Sequence, residues 1–134
     1  MSNPTHTDPL RDKPVVLLSI DEQWADAILA GEKQYEYRRQ PPALETPYRV
    51  VLYATGHVSA IVGGFETQTV VEAPIEELIE QTIQHTPHEP EEIRAYFDGK
   101  DTGAAIQVAA WNRYDDPVTI ADLRSVDAGF TVPQ

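Results

Sequence analysis

The order of apolar patterns between residues 15 and 111 constrains the fold more than any other feature of this sequence. Residues 15–20 (VVLLSI) form a nearly continuous apolar run of strand length, suited to a buried strand. A helix is predicted next. Ser19 with Glu22 fits a capping box, or Asp21 caps instead, and Trp24, Ala25, Ile28 and Leu29 recur at helical spacing. Gly31 suits the helix terminus. Residues 33–39 (KQYEYRR) then alternate as a strand does, until Gln40, Pro41 and Pro42 end it. Residues 48–55 (YRVVLYAT) and 58–71 (VSAIVGGFETQTVV) read as two more strands about a corner at Gly56 and His57, with a bulge or bend at Gly63 and Gly64. Two amphipathic helices are predicted over 74–84 and 89–97, a strand over 104–111, and a short strand with a helical turn over 117–124. Strand, helix, three strands, two helices, two strands is not the alternation of a parallel sheet. It predicts an α+β domain: a small, mixed, mostly antiparallel β-barrel with helices packed outside it.

A chain of 134 residues with 41% hydrophobic content is one domain's worth and can bury a core without staples. The expected division is a flexible arm over 1–13, the domain over 14–125 and a tail over 126–134. There is no cysteine, which excludes disulfides, thiolate metal sites and a cysteine nucleophile. The polar, proline-punctuated start has no apolar run like a signal peptide, and no stretch is long enough to span a membrane. A cytoplasmic location and no membrane partner are therefore expected. The formal net charge is −12, and only Lys13, Lys33 and Lys100 are lysines. This reads as a halophilic-type acidic surface, kept soluble in strong salt, rather than as a binding preference. Residues 66–101 hold ten carboxylates against Arg94 and Lys100, whereas 31–49 carry Lys33, Arg38, Arg39 and Arg49 against Glu32, Glu36 and Glu45. An anionic or polar ligand is expected at that basic-leaning stretch.

The chemistry gathers in Gly31-Glu32-Lys33-Gln34-Tyr35-Glu36-Tyr37-Arg38. On a strand, Gln34, Glu36 and Arg38 share one face, and Tyr35 and Tyr37 share the other. The polar set would face a groove with the tyrosines packed behind it. Lys33 has the wrong parity and joins Glu36 and Arg38 only from the helix-to-strand turn, which Gly31 permits. Glu36 would orient the two cations and accept a proton or an amino-group hydrogen bond; Lys33 and Arg38 would donate to phosphate, carbonyl or ring acceptors. A solvated strand with incidental ion pairs is the competing interpretation.

Gly31, Lys33, Glu36 and Arg38 match the GxKxxExR signature, and the sequence resembles the ASCH family from about residue 15 to 123. LSIDEQWADAILAGEKQYEYRR is similar to the family's strand–helix–strand opening, VLYAT and VSAIVGGFE to its next strands, and AYFDGKDTGAAIQV to its helix-to-strand return. The resemblance implies a PUA-like barrel whose cleft lies between the first helix, the signature strand and neighbouring strands. It implies RNA or a nucleotide-like molecule as ligand; no cofactor is expected. Some ASCH proteins resemble ribonucleases, and one branch hydrolyses N4-acetylcytidine through a threonine three positions after the signature lysine. Glu36 stands at that position here, while Lys33 and Arg38 match both branches.

Thr55 and Ser59, with Tyr53, match polar or aromatic positions of that cleft; packing and turn capping explain them as well. Ser59 and His57 could be imagined in a triad, but no nucleophile elbow surrounds Ser59. His85 and His88 have metal-ligand spacing, yet Pro87 interrupts any shared helical face, and no metal site is expected. Trp24 is expected in the core, and Trp111 is more open to stacking on a base. Missing glycine-rich phosphate loops exclude the common nucleotide-hydrolysing folds. The leading expectation is a module binding RNA or a nucleotide-like ligand through Lys33, Glu36 and Arg38, with Thr55 and Ser59 nearby. A small hydrolase using Lys33 and Glu36, as ribonuclease or nucleoside amidohydrolase, is the second; a regulatory protein-interaction module is the third.

Overall fold

The computed structural model describes residues 13–122. The expected arm, apart from Lys13, and the expected tail lie outside the described residues. The order is β1 (Val15–Asp21), α1 (Glu22–Leu29), β2 (Tyr35–Arg38), β3 (Tyr48–Thr55), β4 (Ala60–Thr67) and β5 (Val70–Pro74). Then come α2 (Ile75–Thr82), a 3-10 turn (Ile83–His85), α3 (Pro90–Tyr96), β6 (Thr102–Gln107) and β7 (Ala109–Thr119). The strands pair as two sheets, β1-β3-β4-β7 and β2-β6-β5. Only the β1–β3 ladder is parallel; the four other ladders are antiparallel. The fold is thus mixed α+β and mostly antiparallel, and no described ladder closes the two sheets into a ring.

β1 is an edge strand rather than a fully buried one: only Ile20 in it is buried. Its parallel partner β3 requires a crossover, which α1 and β2 supply. Asp21, not Ser19, caps α1, its side chain accepting from Gln23 N at 2.9 Å. The apolar stretch predicted as one strand over 58–71 divides into β4 and β5, which belong to different sheets. Thr67, fully buried, turns the chain there by donating its hydroxyl to Thr69 O. The strand predicted over 104–111 divides in the same way at Val108, between β6 and β7. The bend expected at Gly63 and Gly64 is a register shift between Leu52 and Tyr53 of β3, with Val62 as the extra residue. A Cβ at Gly63 would strike Asn112 O, and one at Gly64 would strike Val50 O.

Two apolar clusters result. The larger gathers Ile28 and Leu29 of α1 with Val50, Leu52, Phe65, Ile106 and Val108. The smaller gathers Leu78, Ile79, Ile93 and Phe97 of the later helices with Tyr37 and Ala105. β6 serves both because successive side chains point to opposite faces: Ile106 enters one cluster and Ala105 the other. Each fully buried Ile or Leu contributes about 1.5–3 kcal/mol. The two helical layers are thereby fixed on either side of β6, along which β2 runs.

Candidate functional site

α1 ends in a tight turn that carries the signature lysine. Gly31 takes φ +80°, a conformation that side chains resist, and Glu32 N and Lys33 N both donate to Ala27 O, at 2.9 and 3.1 Å. Gln34 N then donates to His85 O at 2.8 Å, which draws the 3-10 turn alongside β2. Lys33 therefore sits on the helix-to-strand turn, as its parity requires. It is 1% exposed, and Glu36 is 7% exposed.

Lys33, Glu36 and Arg38 line one cavity of about 360 Å³, together with Ser19, Asp21 and Trp24 on one side and His88, Glu92 and Tyr96 on the other. Such a volume lies within the range of small-molecule sites. Glu36 bridges the two cations: Oε1 is 3.5 Å from Lys33 Nζ and Oε2 is 2.9 Å from Arg38 Nη2. Arg38 Nη2 also donates to Ser19 O at 2.8 Å, tying β2 to β1 across the cavity. Lys33 Nζ lies 3.0 Å from His88 Nε2 and 4.9 Å from the Tyr37 ring centre. Burial pushes the Lys33 amine below its usual pKa, and Glu36 opposes that shift without cancelling it. Burial and then the neighbouring Lys33 charge lower His88 as well.

Tyr37 contradicts the simple alternation of faces. Its ring belongs to the smaller core cluster, yet it also lines the cavity. Thr82 Oγ1 donates to Leu78 O at 2.8 Å, so its one proton is engaged and the Tyr37 hydroxyl must donate to Thr82, at 2.6 Å. That bond fixes the hydroxyl away from Lys33 and leaves the ring beside the ammonium. Burial raises the Tyr37 pKa. Tyr35, expected fully behind the strand, is only half-buried.

Trp24 packs against the core, as expected, but it also walls the cavity, its ring centre 4.2 Å from that of His88. Thr55 and Ser59 do not line the cavity. Thr55 Oγ1 donates to Ile20 O at 3.3 Å, and Ser59 Oγ donates to Gly56 O at 2.7 Å in an exposed turn. Tyr53 is buried in packing. Trp111 is 44% exposed and rests on Gly31, outside the cavity. His85 lies beside Tyr35, ring centres 6.2 Å apart, whereas His88 faces Lys33, so the pair shares no ligand position. Among the described residues, no group of three or more His, Asp or Glu side chains is placed to hold a metal ion. His88, Glu92 and Tyr96 were not readable as site residues: 55 positions separate Lys33 from His88, and no local pattern joins them.

Two packed sheets with a polar, ring-walled cavity between α1, β2 and α3 define a small α+β domain with a built site. The sequence profile of the ASCH domain matches residues 18–113, and the chain belongs to the ASCH domain family. It is 24% identical over 123 residues to an ASCH domain-containing ribonuclease of Zymomonas mobilis subsp. mobilis, covering 92% of this chain and 82% of that protein. The crystal structure of ASCH from Zymomonas mobilis superposes with a TM-score of 0.82 at 24% identity, over 88% of this chain and 82% of that one. The N-terminal domain of Staphylothermus marinus McrB is a more distant likeness, with a TM-score of 0.52 at 14% identity, over 84% and 78% of the two chains. These likenesses establish a shared fold. No described helix is long and apolar enough to cross a membrane.

Proposed function

We propose that this chain binds RNA or a nucleotide-like molecule by taking one unpaired base into the cavity at Lys33, Glu36 and Arg38. The observation that carries this reading is the array of buried Lys33 and Glu36 with half-buried Arg38 beneath walls of Trp24, Tyr37, His88 and Tyr96 rings. Flat rings suit the face of a base, and the array offers both acceptor and donors to its edge. The charges favour a base over a phosphate. Lys33 and Arg38 are already engaged by Glu36, and Asp21 and Glu92 add two more carboxylates to the lining. Two cations against three acids do not make an anion site, so phosphates stay at the rim. The PUA-like fold implied by the resemblance, with its RNA-binding analogues, agrees with this reading. Calorimetric titration with a free nucleoside and its 5′-monophosphate tests it: the nucleoside should bind at least as tightly, and a clear preference for the monophosphate would count against a base pocket.

A second reading is RNA hydrolysis, favoured by the ribonuclease name of the Zymomonas relative and by the lowered pKa of Lys33. Lys33 and Glu36 would then carry acid–base roles. Incubation of purified protein with RNA and with N4-acetylcytidine separates the two: turnover that vanishes in Lys33→Ala, with the fold kept, promotes the hydrolase.

A further inference from the structure

We propose that His88 is a positioning residue for Lys33: its unprotonated Nε2 holds the lysine Nζ at the cavity floor, and protonation of the ring releases it. This rests on the cleft being the ligand site. With Lys33 charged, the contact selects the tautomer. Lys33 Nζ lies 3.0 Å from His88 Nε2, and a lysine amine that is charged has donors only. Nε2 must therefore accept, which places the ring proton on Nδ1, toward Glu92 Oε2 at 3.8 Å.

Every element around the ring enters the balance. Lys33 faces it from the turn after α1, Trp24 from α1, Tyr37 from β2 and Glu92 from α3. Of the charged groups among these, Glu92 alone favours a charged ring, and its side chain is half exposed, so solvent weakens that attraction. Lys33 opposes it at hydrogen-bond distance. Once Nε2 is protonated, two donors and two positive charges confront each other with no acceptor between them. The ring is held by its contact with Trp24, at 4.2 Å between centres, so the flexible lysine yields. Movement of Nζ also alters the Glu36 contact at 3.5 Å, and with it the polar floor offered to a ligand. The cleft is thus set for binding above the histidine titration range and unset below it.

Two measurements on the full chain decide this. In ligand-free protein, NMR follows the His88 ring nitrogens and the Lys33 Nζ and Cε resonances across about pH 5–8. The Lys33 resonances should move with the His88 midpoint, and that movement should vanish in His88→Gln, whose side-chain oxygen accepts without titrating. Lys33 resonances that ignore the His88 midpoint, or that move equally in His88→Gln, would overturn the proposal, as would a neutral ring with its proton on Nε2. In the second, a short single-stranded oligoribonucleotide is titrated at both ends of that range. Wild-type affinity should fall at least about tenfold toward acid, the scale of one hydrogen bond to a charged group, while His88→Gln binds equally at both ends. An acid-induced loss that persists in His88→Gln would overturn it. If no oligoribonucleotide binds at any pH, the base-pocket reading fails, and the ligand-free resonances still judge the role of His88.

Discussion

Glu36 places one carboxylate oxygen 2.9 Å from Arg38 and the other 3.5 Å from Lys33, so a single buried acid holds both signature cations. The spacing of the three residues explains how. Glu36 and Arg38 are two apart on β2 and share its face, and the turn at Gly31 brings Lys33 to the same side. Removing the acid therefore strands two charges, whereas removing one cation leaves the acid with a partner.

Stability should reflect that asymmetry. Glu36→Gln leaves Lys33 buried without its counter-charge, and should destabilise the fold by about 3 kcal/mol. Lys33→Met removes a buried charge while Glu36 keeps Arg38, and should cost clearly less. Urea unfolding of both variants checks the order; a larger loss in Lys33→Met would show that Glu36 is not what holds the array.

The response to acid follows from His88. Its pKa is lowered in the folded state, by burial first and then by Lys33, so the unfolded chain binds the proton more readily. Its contribution to stability therefore rises with pH through the window between the folded value and the usual 6.5, and is lost as pH falls through it. His88→Gln should flatten the pH dependence of the unfolding midpoint across that window. An unchanged slope would place the acid response elsewhere.

Close strand packing gives a separate test. A Cβ at Gly64 would meet the Val50 carbonyl, which belongs to a paired strand and cannot move aside. Gly64→Ala should destabilise by about 1–3 kcal/mol. Gly99→Ala serves as the comparison: nothing lies within 4 Å of the added atom, and only its φ of +85° resists the change. Thermal unfolding should rank Gly64→Ala as the worse of the two.

Much of the polar floor was legible from local rules. Asp21 before an apolar helical repeat, Gly31 after it, and the parity of Glu36 and Arg38 lead to the array without any long-range knowledge. The sheet changes at 68–69 and at Val108 were not legible, because no glycine or proline marks either point at which the chain passes to another sheet. The place of Thr55 and Ser59 outside the cavity was not legible either: being near a strand corner says nothing about which carbonyl a hydroxyl reaches. The far wall of the cavity depends on α3 docking across β2, fixed by Leu78, Ile79, Ile93 and Phe97 packing on Tyr37. His88 is carried there by that packing, and its own neighbours, Pro87 and Glu89, give no sign of it.

The excess of acids makes a prediction independent of the site. If the surface is adapted to strong salt, repulsion is least screened in dilute buffer, where the fold should be loosest. The thermal midpoint should rise from dilute buffer to molar potassium chloride. A midpoint equal or higher in dilute buffer would return the acidity to the functional clues.

Recognition inside the cavity, rather than over the surface, is tested most directly by exchanging Arg38. One guanidinium nitrogen, Nη2, reaches both Glu36 Oε2 and the Ser19 carbonyl, and the planar group so anchored can offer a ligand a two-point contact that a lysine cannot copy. Calorimetry with short single-stranded RNAs and free nucleosides should find Arg38→Lys weaker by about 1–3 kcal/mol, the range for a good two-point contact. Lys100→Ala, an exposed charge outside the cavity, should bind as the wild type does. An equal loss in both variants would mean diffuse electrostatic attraction, and would contradict a base held at Lys33, Glu36 and Arg38.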